Sequence, residues 1–448
     1  MVRARRRREH ATGGGLRPRG SSEKRRSPAA RAGYHVRSTS VLTRENRMST
    51  PPAVDLLQLS PDFERDPFPV YAALRAQGQV HRVRVPRGMD LYLIVGHEAC
   101  RAAYTEPRFS RDWVGSGHLS TISEVDPDQP VLTHMLLTDP PVHTRLRRLV
   151  TREFTPRRIE ALAPRVQRIT DDLLDAMLAD GKREADLVPS FAFPLPMAVI
   201  CELLGVPALD RTLFSSWSRE IVAPMDPAAE KAAYEQMGVY LLELIAAKRA
   251  DPGEDLLSGL IHTVDEGGDR LSPQELVGMC AVLLVAGHET TVNLIGNGVR
   301  ALHAHPEQLA ELRADWSLLD GAVEEILRYD GPVENSTIRV VLEDVELSGV
   351  TIPKGSAVLI AQADADRDPE RFDAPDTFDI HRDSRGHIAF GHGIHHCLGA
   401  PLARLEARIA FRSLLERCPR LEVIKKDREL PWAEGMLIRG VKELPVRW

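Results

Sequence analysis

Residues 390–399 read Phe390-Gly391-His392-Gly393-Ile394-His395-His396-Cys397-Leu398-Gly399. From Leu398 to Cys418 apolar residues recur every three or four positions, which predicts a helix. Cys397 then lies at its N-terminus, where unpaired N–H groups and the helix dipole favour a thiolate over a thiol. A thiolate is a metal ligand, and the flanking glycines let the backbone turn sharply against something flat and large. The stretch therefore predicts a thiolate ligand held against a flat cofactor.

Two other interpretations of the cysteine stay open at this point. Cys397 could be a small apolar residue that begins a buried helix. Zinc is the second alternative, because His392, His395, His396 and Cys397 are possible ligands. Zinc sites usually draw on two separated pairs, and no second Cys/His pair is evident elsewhere in the sequence.

A second segment carries the signals of a long buried helix. Ser272 is a predicted N-cap, Pro273 suits the first helical position, and Glu275 completes a capping box. The helix can extend to about Ala304, which makes it roughly 48 Å long at 1.5 Å per residue. Its first half, from Met279 to Ala286, is apolar on nearly every face, which predicts a buried element.

Four polar residues interrupt this apolar helix after Gly287, at His288, Glu289, Thr290 and Thr291. Unpartnered polar groups cost about 1 to 3 kcal/mol each when buried. They could be satisfied locally, with Thr290 bonding to a carbonyl one turn earlier. Alternatively, Gly287 and Thr290 loosen the helix to admit a small ligand and water, and Glu289 relays protons.

The chain resembles the cytochrome P450 family from about residue 50 to its end. Three motifs in the right order carry the resemblance: Phe-x-x-Gly-x-x-x-Cys-x-Gly at Phe390 to Gly399, Ala-Gly-x-Glu-Thr at Ala286 to Thr290, and Glu-x-x-Arg at Glu325 and Arg328. The resemblance implies a fold that is mainly α with small β-sheets, built around one haem b. Segments near Val83, Leu91–Val95, Val345–Ile352 and Val358–Ala361 have strand patterns that agree with it.

The same resemblance assigns roles to individual residues. Cys397 is the implied iron ligand, while Glu289 and Thr290 deliver protons during dioxygen activation. The implied haem contacts are Ala286, Gly287, Phe390, Gly391 and Gly399, with His143, Arg147, Arg339 and His395 as partners of the propionates. Glu325 and Arg328 form a structural pair that a second arginine completes, with Arg382 as the candidate and Arg371 as the runner-up.

The implied reaction inserts one oxygen atom of O₂ into a C–H bond of a hydrophobic small molecule. Hydroxylation is the expected outcome and epoxidation the alternative. The likeness is closest to soluble actinobacterial enzymes that hydroxylate macrolides and other polyketides. Two functions remain as alternatives, a peroxide-driven peroxygenase and a non-catalytic haem sensor or recruitment module.

Composition limits the cellular context. The 448 residues are 43% hydrophobic and hold five cysteines without regular spacing, which fits a reducing cytoplasm. Without 18 consecutive apolar residues, a membrane span is not expected. Residues 1–47 carry 14 Lys or Arg against 3 Asp or Glu, a net charge of +11. Since the whole chain has a net charge of −6, residues 48–448 carry −17. We therefore expect a disordered basic extension, an acidic single domain at 48–448, and no nucleic-acid partner.

The basic extension has two other interpretations, a targeting peptide or a nucleic-acid arm, but it lacks the apolar segment that a targeting peptide needs. It could equally be a dispensable tail, with the working start at Met48. The remainder of the chain is expected to act as a monomer.

Two sets of residues point to partners. Basic residues recur on two predicted helices near the cysteine, at Arg145, Arg148 and Arg152 and at Arg404, Arg408 and Arg412. Such a surface would attract an acidic ferredoxin, which passes electrons from NAD(P)H through a ferredoxin reductase. Substrate is expected to contact Trp113–Leu137, Phe191–Gln236, Pro332–Ile338 and Met436–Leu437. Glu124, Asp126 and Asp128 could receive a cationic amino sugar, or could be a solvated loop.

Overall fold

A computed structural model describes residues 53–448, except 87, 119–125, 182, 208–210, 223–225 and 264–267. Helices dominate this part of the chain, as the sequence predicts. Their bounds are α1 Leu56–Leu59, α2 Phe68–Arg75, α3 His97–Thr105, α4 Val142–Thr151, α5 Pro156–Glu160, α6 Ala163–Leu178, α7 Pro194–Leu204, α8 Arg211–Val222, α9 Pro227–Ala250, α10 Leu256–His262, α11 Pro273–Ala304, α12 Pro306–Ala314, α13 Leu319–Asp330, α14 Gln362–Ala365 and α15 Ala400–Arg417. The predicted extension, residues 1–47, lies outside the described residues.

Short strands form small sheets beside these helices. They are β1 Val54–Asp55, β2 Val80–Arg84, β3 Asp90–Ile94, β4 Phe109–Ser110, β5 Glu184–Asp186, β6 Arg339–Val341, β7 Val345–Leu347, β8 Val350–Ile352, β9 Ala357–Ile360, β10 Glu422–Val423 and β11 Pro445–Arg447. One sheet has the order β1-β2-β3-β9-β6-β4, a second β10-β11-β5, and β7 pairs with β8. Mainly α architecture with small sheets is therefore confirmed.

The first hairpin forms where alternating residues predict it. β2 and β3 pair antiparallel, with Val83 opposite Leu91. Val83, Leu91 and Leu93 are buried against α2, while Arg82 and Arg84 on the other face both form ion pairs with Asp90. Alternation thus describes β2, whereas Leu91 to Ile94 of β3 are all buried because both faces of that strand are covered.

Helix α11 runs through the core with the predicted start and end. Glu275 N–H donates to the Ser272 hydroxyl at 3.2 Å, and the Glu275 carboxylate accepts from Ser272 N–H at 2.8 Å. The helix is long and apolar enough to cross a membrane, but 67% of its most apolar window is buried inside the fold. Burial of this kind is what a core helix of a globular protein shows.

Helices α11 and α15 approach each other closely at a glycine. A Cβ atom on Gly298 would overlap the ring of Phe411, and it would lie 3.1 Å from Ile326 on α13. Phe411 is fully buried, so its ring has no free space to enter. Gly296, two residues earlier on the same helix, has no such neighbouring atom within 4 Å of its Cβ position.

Alanine substitutions at these two glycines should change stability in opposite directions. We expect Gly298→Ala to lower the free energy of unfolding by about 1–3 kcal/mol, because overpacking displaces Phe411. Gly296→Ala should raise it by up to about 1 kcal/mol, because alanine favours the helix and fits the space. Urea unfolding followed by circular dichroism measures both. Equal effects at the two positions would contradict the close helix contact.

Candidate functional site

The cysteine loop folds back on itself before α15 begins. Gly391 and Gly393 have φ angles of +72° and +73°, which L side chains rarely adopt. Cys397 N–H donates to Phe390 O at 2.9 Å and closes the loop. The helix begins at Ala400 rather than Leu398, because Pro401 occupies its first turn and needs no N–H partner there. Cys397 therefore lies just ahead of the helix.

The thiol of Cys397 has an environment that sequence reasoning described incompletely. Its surface is exposed, yet protein surrounds it closely enough that burial raises the pKa of the thiol. The N–H groups of Gly399 and Ala400 and the cations Arg147 and Arg404 all lower this pKa, but by less. The N–H groups at the helix terminus therefore favour the thiolate, as expected, but burial outweighs their effect in the free thiol. A bound metal cation would deprotonate it.

Three residues near this loop have buried polar atoms without hydrogen-bond partners in the described part of the chain. They are both ring nitrogens of His143, Nε and Nη2 of Arg339, and Nε2 of His395. The rings of His143 and His395 lie 4.3 Å apart between centroids. Arg339 is 2% exposed and stacks its guanidinium over Tyr104 at 5.1 Å. Three of the four predicted propionate partners thus have buried nitrogens that lack a hydrogen-bond partner.

Electrostatics indicates what kind of ligand these groups require. Burial is the largest of the causes that together lower the pKa of His395 to about 2, followed by the neighbouring charges of Arg111, His143, Arg339 and Arg147 in that order. Burial and the neighbouring Arg339 lower the pKa of Arg111 to about 9. Groups that disfavour one another's charge in this way are stabilised by an anion between them. The two propionates of haem supply that charge, so these residues fit the cofactor.

Arg111 belongs to this cluster but was missed by sequence reasoning. It is 4% exposed, and its Nε donates to Leu136 O at 3.1 Å. In the sequence it follows the short segment Phe109–Ser110 with no periodic pattern or motif to mark it. Arg147 differs from the others, because its Nη2 already donates to His396 O at 2.7 Å.

The polar segment of α11 does not interrupt the helix. The Thr290 hydroxyl donates to Ala286 O at 2.9 Å, as the local interpretation predicts. Asn293 Nδ2 donates to Glu289 O at 2.8 Å, and the Glu289 side chain is 22% exposed. Ala286 is exposed in the middle of this otherwise buried helix. The segment therefore presents a small residue and two proton-bearing side chains without unwinding.

His288 is a further polar residue to which sequence reasoning gave no role. It is 1% exposed, and its Nδ1–H donates to Leu284 O at 2.7 Å. Nε2 lies 3.6 Å from a Glu289 carboxylate oxygen and has no hydrogen-bond partner in the described chain. Its ring meets Phe193 edge-on at 5.9 Å. His288 therefore places a ring nitrogen beside the Glu289 carboxylate.

The Glu325–Arg328 pair is fully buried, with both side chains at 0% exposure. Arg328 Nε and Nη2 donate to the two Glu325 oxygens at 2.7 and 2.8 Å. Arg382 Nε lies 3.4 Å from Glu325 Oε1, whereas Arg371 donates to Arg385 O. Of the two arginines considered from the sequence, the structure therefore places Arg382 beside the pair.

Other predicted groups are less closely associated. Among residues the structure describes, no three His, Cys, Asp or Glu side chains converge to hold a metal ion, so the possible zinc ligands around Cys397 do not form such a site. The predicted basic surface is largely neutralised. Arg145 pairs with Asp269 and Glu275, Arg404 with Glu324, Arg408 with Asp320, and Arg412 with Glu416.

Three of the predicted substrate-contacting segments touch one another. Trp113 Nε1 donates to Ile338 O at 2.8 Å, and Glu334 N–H donates to Leu437 O at 2.9 Å. The buried Thr337 hydroxyl oxygen has no hydrogen-bond partner within the described residues. Asp126 and Asp128 are exposed, while Glu124 lies outside the described residues.

Comparison with known proteins places these features in a family context. Residues 231–445 match the family model "Cytochrome P450". The chain is 56% identical over 407 residues to the cytochrome P450 monooxygenase PikC of Streptomyces venezuelae, covering 91% of this chain and 97% of that protein. It is 45% identical over 404 residues to the 6-deoxyerythronolide B hydroxylase of Saccharopolyspora erythraea, covering 86% and 98%.

A solved structure agrees over the same extent. The tirandamycin C-bound P450 monooxygenase TamI superposes with a TM-score of 0.80 at 44% identity. The alignment covers 88% of this chain and 99% of that chain. The similarity therefore includes the segments that carry the cysteine loop and the polar part of α11.

Proposed function

This chain belongs to the cytochrome P450 family, and on that premise we propose that it hydroxylates a macrolide or related polyketide, with Cys397 as the iron ligand. Membership makes it a haem-thiolate monooxygenase. The reaction consumes one O₂, two electrons and two protons, and it yields the hydroxylated product and water. Epoxidation is the alternative outcome for a substrate with a suitable double bond.

The observation that carries the proposal is the group of buried polar residues beside the cysteine loop. His143, Arg339 and His395 have unpartnered nitrogens, and Arg111 adds a further buried cation. We assign these groups to the haem propionates, which would neutralise their charge and accept their hydrogen bonds. Cys397 would then bind iron from the loop that His395 shares.

Bound haem supplies activation of dioxygen, and the residues of α11 supply protons to it. The Thr290 hydroxyl, now bonded to Ala286 O, can rotate to donate toward the small face made by Ala286 and Gly287. Glu289 is partly exposed and can return a proton to Thr290. We therefore assign Glu289 and Thr290 as the proton-delivering pair.

Replacing Cys397 by alanine should remove both the iron ligand and the activity. We expect Cys397→Ala to lose the thiolate-type spectrum of the reduced carbon monoxide complex and all turnover, because alanine cannot donate to iron. Absorbance spectroscopy of the haem-loaded protein measures the first effect. A thiolate-type spectrum that survives in the variant would show that another residue is the ligand.

Replacing Thr290 by alanine should separate electron use from product formation. We expect product formation with NADPH to fall by about 10²-fold, because a proton donor is lost, while NADPH consumption continues. Thr290→Ser keeps a hydroxyl and should retain most activity. Hydrogen peroxide brings both electrons and both protons, so Thr290→Ala should keep peroxide-driven turnover.

The same assay distinguishes the peroxygenase alternative. Wild-type protein that forms product with hydrogen peroxide but none with ferredoxin, reductase and NADPH would favour a peroxygenase. We propose that a ferredoxin and its reductase deliver the two electrons. Because most arginines of the predicted basic surface are ion-paired, we expect them to add little to the attraction for an acidic ferredoxin.

Two similarities support a polyketide substrate. One relative is named for 6-deoxyerythronolide B, and the structure of TamI contains tirandamycin C. The unpartnered Thr337 hydroxyl offers a polar contact beside the segments expected to line the pocket. We therefore propose an apolar, oxygenated ring system as the substrate. We predict that the enzyme is cytoplasmic and monomeric, with one domain at 48–448 and a disordered extension at 1–47.

A spectral binding screen should identify the substrate class. We expect macrolactones or glycosylated macrolides to displace the haem absorbance maximum at lower concentration than terpenes or carrier-bound amino acids. If Asp126 and Asp128 receive an amino sugar, their Asn variants should weaken binding of amino-sugar macrolides and leave neutral macrolides unchanged. Equal affinity of the wild type for both kinds of macrolide would contradict that role.

A further inference from the structure

Arg404 is held in one position beside the cysteine loop. Its Nε and Nη2 donate to the two oxygens of Glu324 at 2.6 and 2.8 Å. Its guanidinium also stacks over the ring of Phe390, 4.5 Å from the ring centroid. Two parallel hydrogen bonds and one stacking contact fix both the location and the plane of this cation.

Glu324 is fixed in turn by a second donor. Ala389 N–H donates to His387 Nδ1 at 3.2 Å, so the ring proton of neutral His387 lies on Nε2. That Nε2 lies 3.0 Å from Glu324 Oε2 and donates to it. Burial would raise the pKa of Glu324, but bonds from Arg404 and His387 hold it at about 2. The carboxylate is therefore charged at neutral pH.

Phe390 connects this ion pair to the cysteine. The Phe390 carbonyl accepts a hydrogen bond from Cys397 N–H at 2.9 Å, and the Arg404 guanidinium stacks over the Phe390 ring. Arg404 is a cation held beside the loop that carries Cys397, so it favours negative charge on the sulfur. Glu324, which is paired with the same guanidinium, opposes that effect.

We propose that Arg404 is a positioning residue that sets the reduction potential of the haem through Phe390 and the Cys397 sulfur, with Glu324 as its counterweight. This inference rests on the proposed role of Cys397 as iron ligand. Reduction adds one electron to the haem, so a nearby cation stabilises the reduced form and a nearby anion destabilises it. Loss of the Arg404 charge must therefore shift the reduction potential in the direction opposite to loss of the Glu324 charge.

Arg408 offers a matched control one turn further along α15. It lines the same cavity of about 270 Å³ between α13 and α15 as Arg404 and Glu324. Arg408 pairs with Asp320 at 3.3 Å, with side chains 37% and 76% exposed. Solvent screens a pair of this kind strongly.

Spectroelectrochemical titration of the full-length, haem-loaded protein tests the proposal. We expect a more negative potential in Arg404→Gln, a more positive one in Glu324→Gln, and no shift in Arg408→Gln. Arg404→Lys keeps the charge without the paired hydrogen bonds, and it should retain most of the wild-type potential. If Arg404→Gln does not fold, Glu324→Gln and Arg404→Lys still decide the outcome.

Several results would overturn the proposal. Shifts of the same sign in Arg404→Gln and Glu324→Gln would indicate a structural disturbance instead of a charge effect. The proposal would also be overturned by a shift in Arg408→Gln as large as that in Arg404→Gln. An unchanged potential in Glu324→Gln, or equal potentials in Arg404→Lys and Arg404→Gln, would overturn it as well. The carbon monoxide spectrum separates this from the proposed function, since a wild type without the thiolate-type spectrum would refute Cys397 as ligand.

Discussion

The geometry around the cysteine depends on two opposite charges that have no contact with solvent. Moving an unpaired ion into a protein interior costs several kcal/mol, so Glu325 and Arg328 are tolerated only because their hydrogen bonds are made. Arg328 donates to Glu325 and to the carbonyls of Asp366, Pro375 and Thr377. Glu325 also accepts from Asp379 N–H and Ser384. The pair thereby fixes residues 366–384 against α13, and this segment leads directly into the cysteine loop.

Elements with strong local signals could be predicted from the sequence. The start of α11 follows from Ser272, Pro273 and Glu275, whose effects operate within one helical turn. The β2–β3 hairpin could be predicted from the alternation of apolar and charged residues in β2, and the cysteine loop from the spacing of its glycines. The family motifs lie on these same elements, which is why the fold class and the enzyme class were both accessible from sequence.

Features that depend on distant contacts could not be predicted. Arg111 joins the cationic cluster only because β4 pairs with β6, which carries Arg339. The arginines of α4 and α15 looked like a free basic surface, since nothing in the sequence shows that Asp269, Glu324 or Asp320 lies opposite them. The effect of burial on the pKa of the Cys397 thiol could not be predicted for a related reason. Helix position is a local property, whereas burial depends on the whole fold.

One carboxylate at the start of α11 serves two helices. Glu275 caps α11 through Ser272, and it also forms an ion pair with Arg145 on α4, the helix that carries His143 and Arg147. The helix of the proton-bearing residues and a helix of the cationic cluster therefore share one anchor. In evolutionary terms, Arg145, Ser272 and Glu275 should be inherited as a unit, because a change at Glu275 removes a partner from both other residues and a change at either of those removes a partner from Glu275.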